Sequence, residues 1–309
     1  MAQLYETKIL PFGDPAIAEA ARLVLAGEPV AVPTETVYGL AADATNAQAV
    51  ARIYEAKGRP AFNPLIVHVC DLAAAKRIAE LGPRSVELAE QHWPGPLTIV
   101  ARLKPDSGIA SLVTAGLPTI AVRVPRHRGI QALLRAVGRP LAAPSANASG
   151  SISPTRAEHV VKSLGGRIPL VIDDGPCPGG IESTIIAETG GTLRLLRRGP
   201  VEIADAAPAD SQRVEAPGQL ASHYAPSKPL RLNAQAPSEE EFMIGFAGVP
   251  GECSLSSAGD LVEAAARLFD LLHKADSSGK PKIAVAPVPE DGLGAAINDR
   301  LRRAATPRQ

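Results

Sequence analysis

Residues 30–69 read VAVPTETVYGLAADATNAQAVARIYEAKGRPAFNPLIVHV, and the local signals change along the stretch from strand to helix and back. Val30 to Val32 is a short β-favouring run closed by Pro33, which reads as a strand. Asn46 is a good N-cap, Val50, Ile53 and Tyr54 share one face at helical spacing, and Gly58 stops the helix. Leu65 to Val69 is strand-like again, entered through Pro60 and Pro64. Strand, helix and strand in this order call for a sheet with helices packed on it, an α/β fold class.

The same alternation continues on the C-terminal side. Leu97 to Leu103, Thr119 to Val124, Leu170 to Ile172, Thr184 to Ala187 and Thr192 to Leu196 are strand candidates bounded by Pro, Gly or Asp. Asp71 to Leu81, Pro83 to His92 and Gly129 to Val137 have helical patterns, and Thr155 with Glu158 has the form of a capping box. Together these predict a mixed sheet domain of α+β type over residues 1–200. Residues 201–229, rich in Pro, Ala and polar groups, read as a linker. Residues 230–309 repeat a β-α-β-α order: strand Phe242 to Phe246, helix Asp260 to His273, strand Ile283 to Ala286 and helix Leu293 to Arg303. That order predicts a smaller Rossmann-like α/β domain. It holds neither a Gly-x-Gly-x-x-Gly nor a Walker-type phosphate loop, so no motif there supports nucleotide binding.

Composition narrows the function classes. The 309 residues carry 32 Lys+Arg and 32 Asp+Glu, which excludes a polycationic nucleic-acid coat. The neutral total conceals a +4 balance in residues 1–200 and a −4 balance in 201–309. Aromatics at 3% argue against base-stacking platforms. Cys70, Cys177 and Cys253 are odd in number and form no CxxC pair, so neither a disulfide framework nor a zinc site is expected and the cytoplasm is the expected compartment. No apolar run approaches the ~18 residues of a membrane helix, and MAQLYETKIL lacks a signal-peptide pattern, so a soluble, unprocessed chain is expected.

Several polar clusters sit at strand ends. Pro33 to Leu40 offers two hydroxyls, a carboxylate and a phenol, and suits a binding loop or a capped turn equally. Lys57, Arg59 and Asn63 lie in a proline-stiffened loop; helix-end cations are also explained by the macrodipole, but a rigid loop with these donors suits phosphate or carboxylate. His68 alternates with apolar neighbours and by itself reads as a structural histidine. In Thr119 to Val124, Ile120, Val122 and Val124 share a face and Arg123 takes the other, where it is solvent-facing or needs an anionic partner. Pro144 to Gly150, continued by Ser151 to Pro154, is a solvated loop or an anion-binding one. Asp173-Asp174-Gly175 reads as a turn rather than a metal site. No Ser–His–Asp or Cys–His spacing supports covalent catalysis, so the inventory favours electrostatic stabilisation of phosphoryl or carboxyl groups.

Taken in order, PTETVYGL (33–40), KGRPAFNPLIVHV (57–69), PGPLTIV (94–100), TIAVRVP (119–125), PSANASG (144–150), ESTII (182–186), LLRRG (195–199) and the linker segment APGQLASHYAP (216–226) resemble the L-threonylcarbamoyl-AMP synthases in their longer form, a YrdC-like domain followed by a second domain. The resemblance implies an ATP-dependent nucleotidyltransferase that joins L-threonine, bicarbonate and ATP into L-threonylcarbamoyladenylate and pyrophosphate. The product would pass to the tRNA threonylcarbamoyl-transferase machinery, with no stable tRNA binding by this chain. Mg²⁺ would arrive with ATP rather than on a dedicated protein site.

Carried over position by position, the resemblance implies Thr36, His68, Arg123, Ser183 and the backbone of Ala143 for threonine, with Arg123 facing its carboxylate. It implies Arg59, Asn63, Thr119, Ser145, Ser153, Arg197 and Tyr224 for ATP, Tyr224 closing over the nucleotide with His223 beside it. Lys57, Arg59, Ser145 and Asn147 match the family's Lys-x-Arg and Ser-x-Asn signature and would act at the phosphates and carbamate. The chain departs from the pattern at Ala61-Phe62-Asn63, where relatives are more basic or serine-rich, and at Gln219-Leu220, where Met commonly comes first. A competing reading is an RNA-binding module using a basic concave surface; low aromatic content and the lack of a Lys/Arg run oppose it. A carbamoyl-transfer domain of the hydrogenase-maturation kind is disfavoured by the missing zinc-finger cysteines.

Overall fold

In the computed structural model, residues 4–208, 215–218 and 222–306 are described. The Gln219-Leu220 departure lies outside them, as do residues 1–3 of the first expected domain, 307–309 of the second, and 209–214 and 221 of the linker.

Strands from the whole first part of the chain join one mixed sheet. From one edge the order is Lys8–Pro11, Leu170–Asp173, Val30–Val32, Gly39–Asp43, Leu141–Ala142, Ile66–His68, Thr119–Arg123, Leu97–Leu103, Thr184–Thr189, Thr192–Arg197 and Ala207–Pro208. Parallel pairs (Ile66–His68 with Thr119–Arg123, Leu97–Leu103 with Thr184–Thr189) stand beside antiparallel ones, so the sheet is mixed as the sequence predicts. Gly39–Asp43 and Leu141–Ala142, which carry no strand pattern of their own, fill its centre. Lys8–Pro11 and helix Asp14–Leu25, with Pro in its first turn, are likewise absent from the sequence reading.

The period-two pattern of the central strands sorts their residues onto two faces. Val67, Ile120 and Val122 enter one core with Val50, Ile53 and Tyr54 of helix Ala47–Lys57. Each such fully buried side chain contributes about 1.5–3 kcal/mol. Ile66, Ala121, Val100 and Ile185 face the other way, where Ala216 of the linker covers them. His68 and Arg123 share that second face.

Helix Ala47–Lys57 forms as its caps require: Asn46 accepts from the Gln48 and Ala49 amides at 3.0 and 3.2 Å, and Gly58 closes it in the left-handed region. The expected capping box at Thr155 does not form. The helix begins later, at Ala157, with Arg156 as its N-cap and no side-chain cap bond, because the Thr155 amide instead donates to His159 Nδ1 at 3.3 Å. Asp173-Asp174-Gly175 is the expected turn: the Gly175 amide donates to Asp173 Oδ1 at 3.0 Å, and Asp174 pairs with Arg128.

The second unit is a four-stranded parallel sheet ordered Leu230–Arg231, Lys282–Val285, Glu241–Gly245, Cys253–Ser254, with helices Leu261–Asp276 and Gly292–Ala305. This is the β-α-β-α unit of the sequence with a short strand added at each edge. Its core runs into the first unit through Val37, Ile152, Ile181 and Tyr224. At the seam Gly180 takes φ +69, and a Cβ there would lie 2.2 Å from the Ala265 carbonyl oxygen. Arg156 reaches across to Asp270 at 2.7 Å, and His273 Nε2 lies 3.1 Å from the Ser153 carbonyl oxygen. The stretch read as a linker is thus largely docked: Ala207–Pro208 extends the large sheet, and Ala225 bridges to Ser151.

Candidate active site

The buried backbone at the end of Val30–Val32 finds its partners in Thr34. Its hydroxyl donates to the Val37 carbonyl at 2.6 Å and accepts from the Thr36 and Val37 amides at 3.1 and 3.2 Å. The loop is therefore both a capped turn and a wall of a cavity, since Thr34, Thr36, Val37 and Gly39 all line it.

Across from this loop stand His68 and Arg123, direct partners in the parallel pairing of their strands. Both are 3% exposed. Arg123 has the anionic partner that an inward cation requires: Glu35 Oε1 lies 2.5 Å from its Nη2. Its Nη1 donates to Thr36 Oγ1 at 3.0 Å and its Nε to the Gly95 carbonyl at 3.2 Å, so the planar group is held from three sides. Burial raises the Glu35 carboxyl, but the neighbouring Arg123 charge outweighs it and holds the group below its ordinary value. Burial, then the Arg123 charge, pushes His68 down to about 3, so the imidazole is neutral near pH 7. Its Nδ1 is buried with no hydrogen-bond partner, a polar atom left for a ligand.

Two more guanidiniums converge on the cavity. Arg59 follows the Gly58 stop and is gripped by its own loop: Nη2 donates to Asn63 Oδ1 at 2.7 Å and to the Pro64 carbonyl at 2.8 Å. Burial lowers its pKa to about 10. Arg197, at the end of Thr192–Arg197, donates through Nη2 to Ser183 Oγ at 3.0 Å and through Nε to the Ser183 carbonyl at 3.0 Å. Ser183 Oγ is also 2.8 Å from Thr98 Oγ1. Three buried cations around one cavity give it a chemistry suited to anions.

Of the residues expected at the site, the structure brings Thr36, Arg59, His68, Arg123, Ala143, Ser145, Ser183, Arg197, Tyr224 and His223 to the cavity wall. Others stand one step behind it. Asn63 orients Arg59, and Ser153 donates to the wall residue Glu182 at 2.6 Å. Lys57 does not reach the cavity: its Nζ donates at 2.5 Å each to the Ser145 and Asn147 carbonyls, tying down the loop that carries Ser145. Asn147 holds the same loop by donating to the Ser151 carbonyl at 2.8 Å. Thr119 lies at the far end of its strand from Arg123, about 13 Å away at strand rise.

The wall also includes residues given no role from sequence. Glu35 and Glu182 belong to the segments PTETVYGL and ESTII, whose hydroxyls alone point to a role in the sequence. Pro217 and Gly218 come with the linker. Linker residues fill the cavity: Tyr224 is 1% exposed, and only about 50 Å³ remains, far below the ~300 Å³ or more of a ligand site. Gly218, at φ +85, is required by this closeness, since a Cβ would lie 2.9 Å from Tyr224 Oη. His223 Nδ1 and Tyr224 Oη are buried without partners.

A family model described as "Telomere recombination", for the Sua5, YciO and YrdC proteins, matches residues 22–199, and one described as "Threonylcarbamoyl-AMP synthase, C-terminal domain" matches residues 181–306. The chain is 39% identical to the threonylcarbamoyl-AMP synthase of Bacillus subtilis, covering 97% of this chain and 95% of the relative. It is also 39% identical to that of Pyrococcus abyssi, covering 93% of each. Among solved structures, P. abyssi Sua5 complexed with L-threonine superposes with a TM-score of 0.87 at 34% identity over 97% of both chains. E. coli YciO matches with a TM-score of 0.58 at 21% identity over 65% of this chain, a likeness of fold.

Proposed function

The chain belongs to the threonylcarbamoyl-AMP synthase family, and from that premise we propose how its own cavity joins L-threonine, bicarbonate and ATP. The observation that carries the reading is the pairing of Arg123 with a neutral His68 on adjacent strands, flanked by the buried cations Arg59 and Arg197. Threonine presents a carboxylate, an amine and a hydroxyl. Arg123 receives the carboxylate, its fork already oriented by Glu35 and Thr36, and the free Nδ1 of His68 suits the hydroxyl. Thr36, Ser183 and the Ala143 backbone close the threonine side.

The threonine amine, once neutral, attacks the carbon of bicarbonate-derived carbon dioxide to give an N-carboxylate. An oxygen of that carbamate then displaces pyrophosphate from the α-phosphorus of ATP. Each participant is anionic, so the protein's work is placement and charge compensation. Arg59, Asn63, Ser145, Ser153 and Arg197 serve the nucleotide side, while Lys57 and Asn147 hold the Ser145 loop at a fixed distance from it. Thr119 completes the set of nucleotide contacts only if the bound nucleotide extends along its strand.

ATP enters as its Mg²⁺ complex. The carboxylates of the cavity wall and its loop, Glu182 and Glu35, are engaged by Arg300 and Arg123, and in this reading the metal would be carried in with the nucleotide. Because the linker fills the cavity, Tyr224 must lift for ATP to enter and can then close over it. We assign the product to the machinery that transfers the threonylcarbamoyl group to tRNA. Incubation with ATP, threonine and bicarbonate should release pyrophosphate only when all three are present; release indifferent to threonine would overturn the reading.

A further inference from the structure

Helix Gly292–Ala305 turns an apolar stripe of Ile297, Leu301 and Ala304 toward the core. Arg300 falls inside that stripe and is 0% exposed. A guanidinium removed from water needs partners, and here Glu182 and the Arg198 carbonyl supply them from across the seam, with Asp299 beside it on the same helix. Nε donates to Glu182 Oε2 at 3.1 Å, and Nη1 donates to the Arg198 carbonyl at 2.6 Å and to Asp299 Oδ2 at 3.0 Å. The other carboxylate oxygen of Glu182 accepts from Ser153 Oγ at 2.6 Å. Glu182 is itself a wall of the cavity. On its open face, the Arg300 guanidinium stands 5.6 Å from the centroid of the Tyr224 ring, within cation–π range. Phe269, also from the C-terminal unit, meets that ring at 5.5 Å.

For packing alone an apolar side chain of this size would serve better, because a buried ion pair seldom repays its desolvation. What the charge adds is direction. Resting on the reading of the cavity as an ATP and threonine site, we propose that Arg300 is a positioning residue through which the C-terminal unit sets the nucleotide side of the cavity. It fixes the Glu182 carboxylate and with it the Ser153 hydroxyl, and it presents the face on which Tyr224 docks when the linker covers the site. The second unit, which has no phosphate loop of its own, thereby takes part in the reaction.

The test compares full-length Arg300→Met, which keeps the volume, with Arg300→Lys, which keeps the charge. Hydrogen exchange of the ligand-free protein is read at the Ala225 amide, which donates to the Gly150 carbonyl at 2.9 Å. In Arg300→Met it should exchange roughly tenfold faster, while Val122 in the central strand is unchanged. KM for ATP should rise roughly tenfold with KM for threonine within about twofold, and Arg300→Lys should fall between. The double variant Glu182→Gln/Arg300→Met removes the stranded carboxylate; it should regain melting temperature and keep the raised KM for ATP.

Recovery of both together would reduce Arg300 to packing and overturn the proposal. Unchanged exchange at Ala225, or an unchanged KM for ATP, would overturn it as well. A wild-type protein without threonine-dependent pyrophosphate release would overturn the functional reading instead, and the exchange measurement would still decide whether Arg300 seats the linker.

Discussion

Arg123 shows how a single side chain acquires its task. Its strand alternation turns it away from the apolar core, and Glu35, Thr36 and the Gly95 carbonyl then fix its plane. A lysine in its place keeps the charge but loses the fork, so Arg123→Lys should raise KM for threonine by about tenfold or more with KM for ATP nearly unchanged; a parallel rise in both would remove Arg123 from the threonine carboxylate. His68 makes a complementary case. Held down to about 3 by burial and then by Arg123, it does not titrate in the working range. The pH profile of kcat/KM should therefore keep its shape in His68→Gln although its height falls, whereas loss of a step near pH 6.5 would make His68 a titrating group.

At the scale of elements, the helix that ends at Lys57 and the loop that starts at Ser145 form one device. Burial, then the Arg59 charge, pushes the Lys57 ammonium well below its ordinary value, and the group spends its protons on two carbonyls. Lys57→Met should therefore cost about 2 kcal/mol or more in stability, as those carbonyls lose their donor. It should also cut kcat by about a hundredfold through misplacement of Ser145; a variant with normal kcat would confine Lys57 to packing. This division between wall and support could not be read from sequence, where Lys57 and Arg59 look alike. What could be read was whatever has a local cause: the Asn46 cap, the Gly58 stop, the alternation around Arg123. Gly39–Asp43 and Leu141–Ala142 escaped because they are strands only through their neighbours, with no periodicity of their own. Arg300 does carry a local signal, a charge on the apolar stripe of its helix.

Across the whole molecule, the core of the second unit runs into the first at the seam. Gly180→Ala should test the seam, because a Cβ would meet the Ala265 and Ala266 backbone of helix Leu261–Asp276; a drop in melting temperature is expected, and an unaltered one would mean the helix can move aside. Burial also keeps four imidazoles neutral: His68 and His159 are pushed down to about 3, His273 to about 4, and His223 well below its ordinary value. Unfolded, each would protonate near 6.5, so the unfolded chain binds more protons as pH falls. Stability should be full above about pH 6.5 and should decline by up to ~1.4 kcal/mol per pH unit per histidine toward pH 4; a flat profile from pH 7 to about 4.5 would contradict their burial. We propose that this one cavity condenses three substrates, and ¹³C-bicarbonate follows the carbon that would join them. Mass spectrometry of a reaction with ATP and threonine should find an adenylate carrying threonine and a single ¹³C, absent when threonine is withheld; unlabelled AMP or ADP as the only nucleotide product would contradict it.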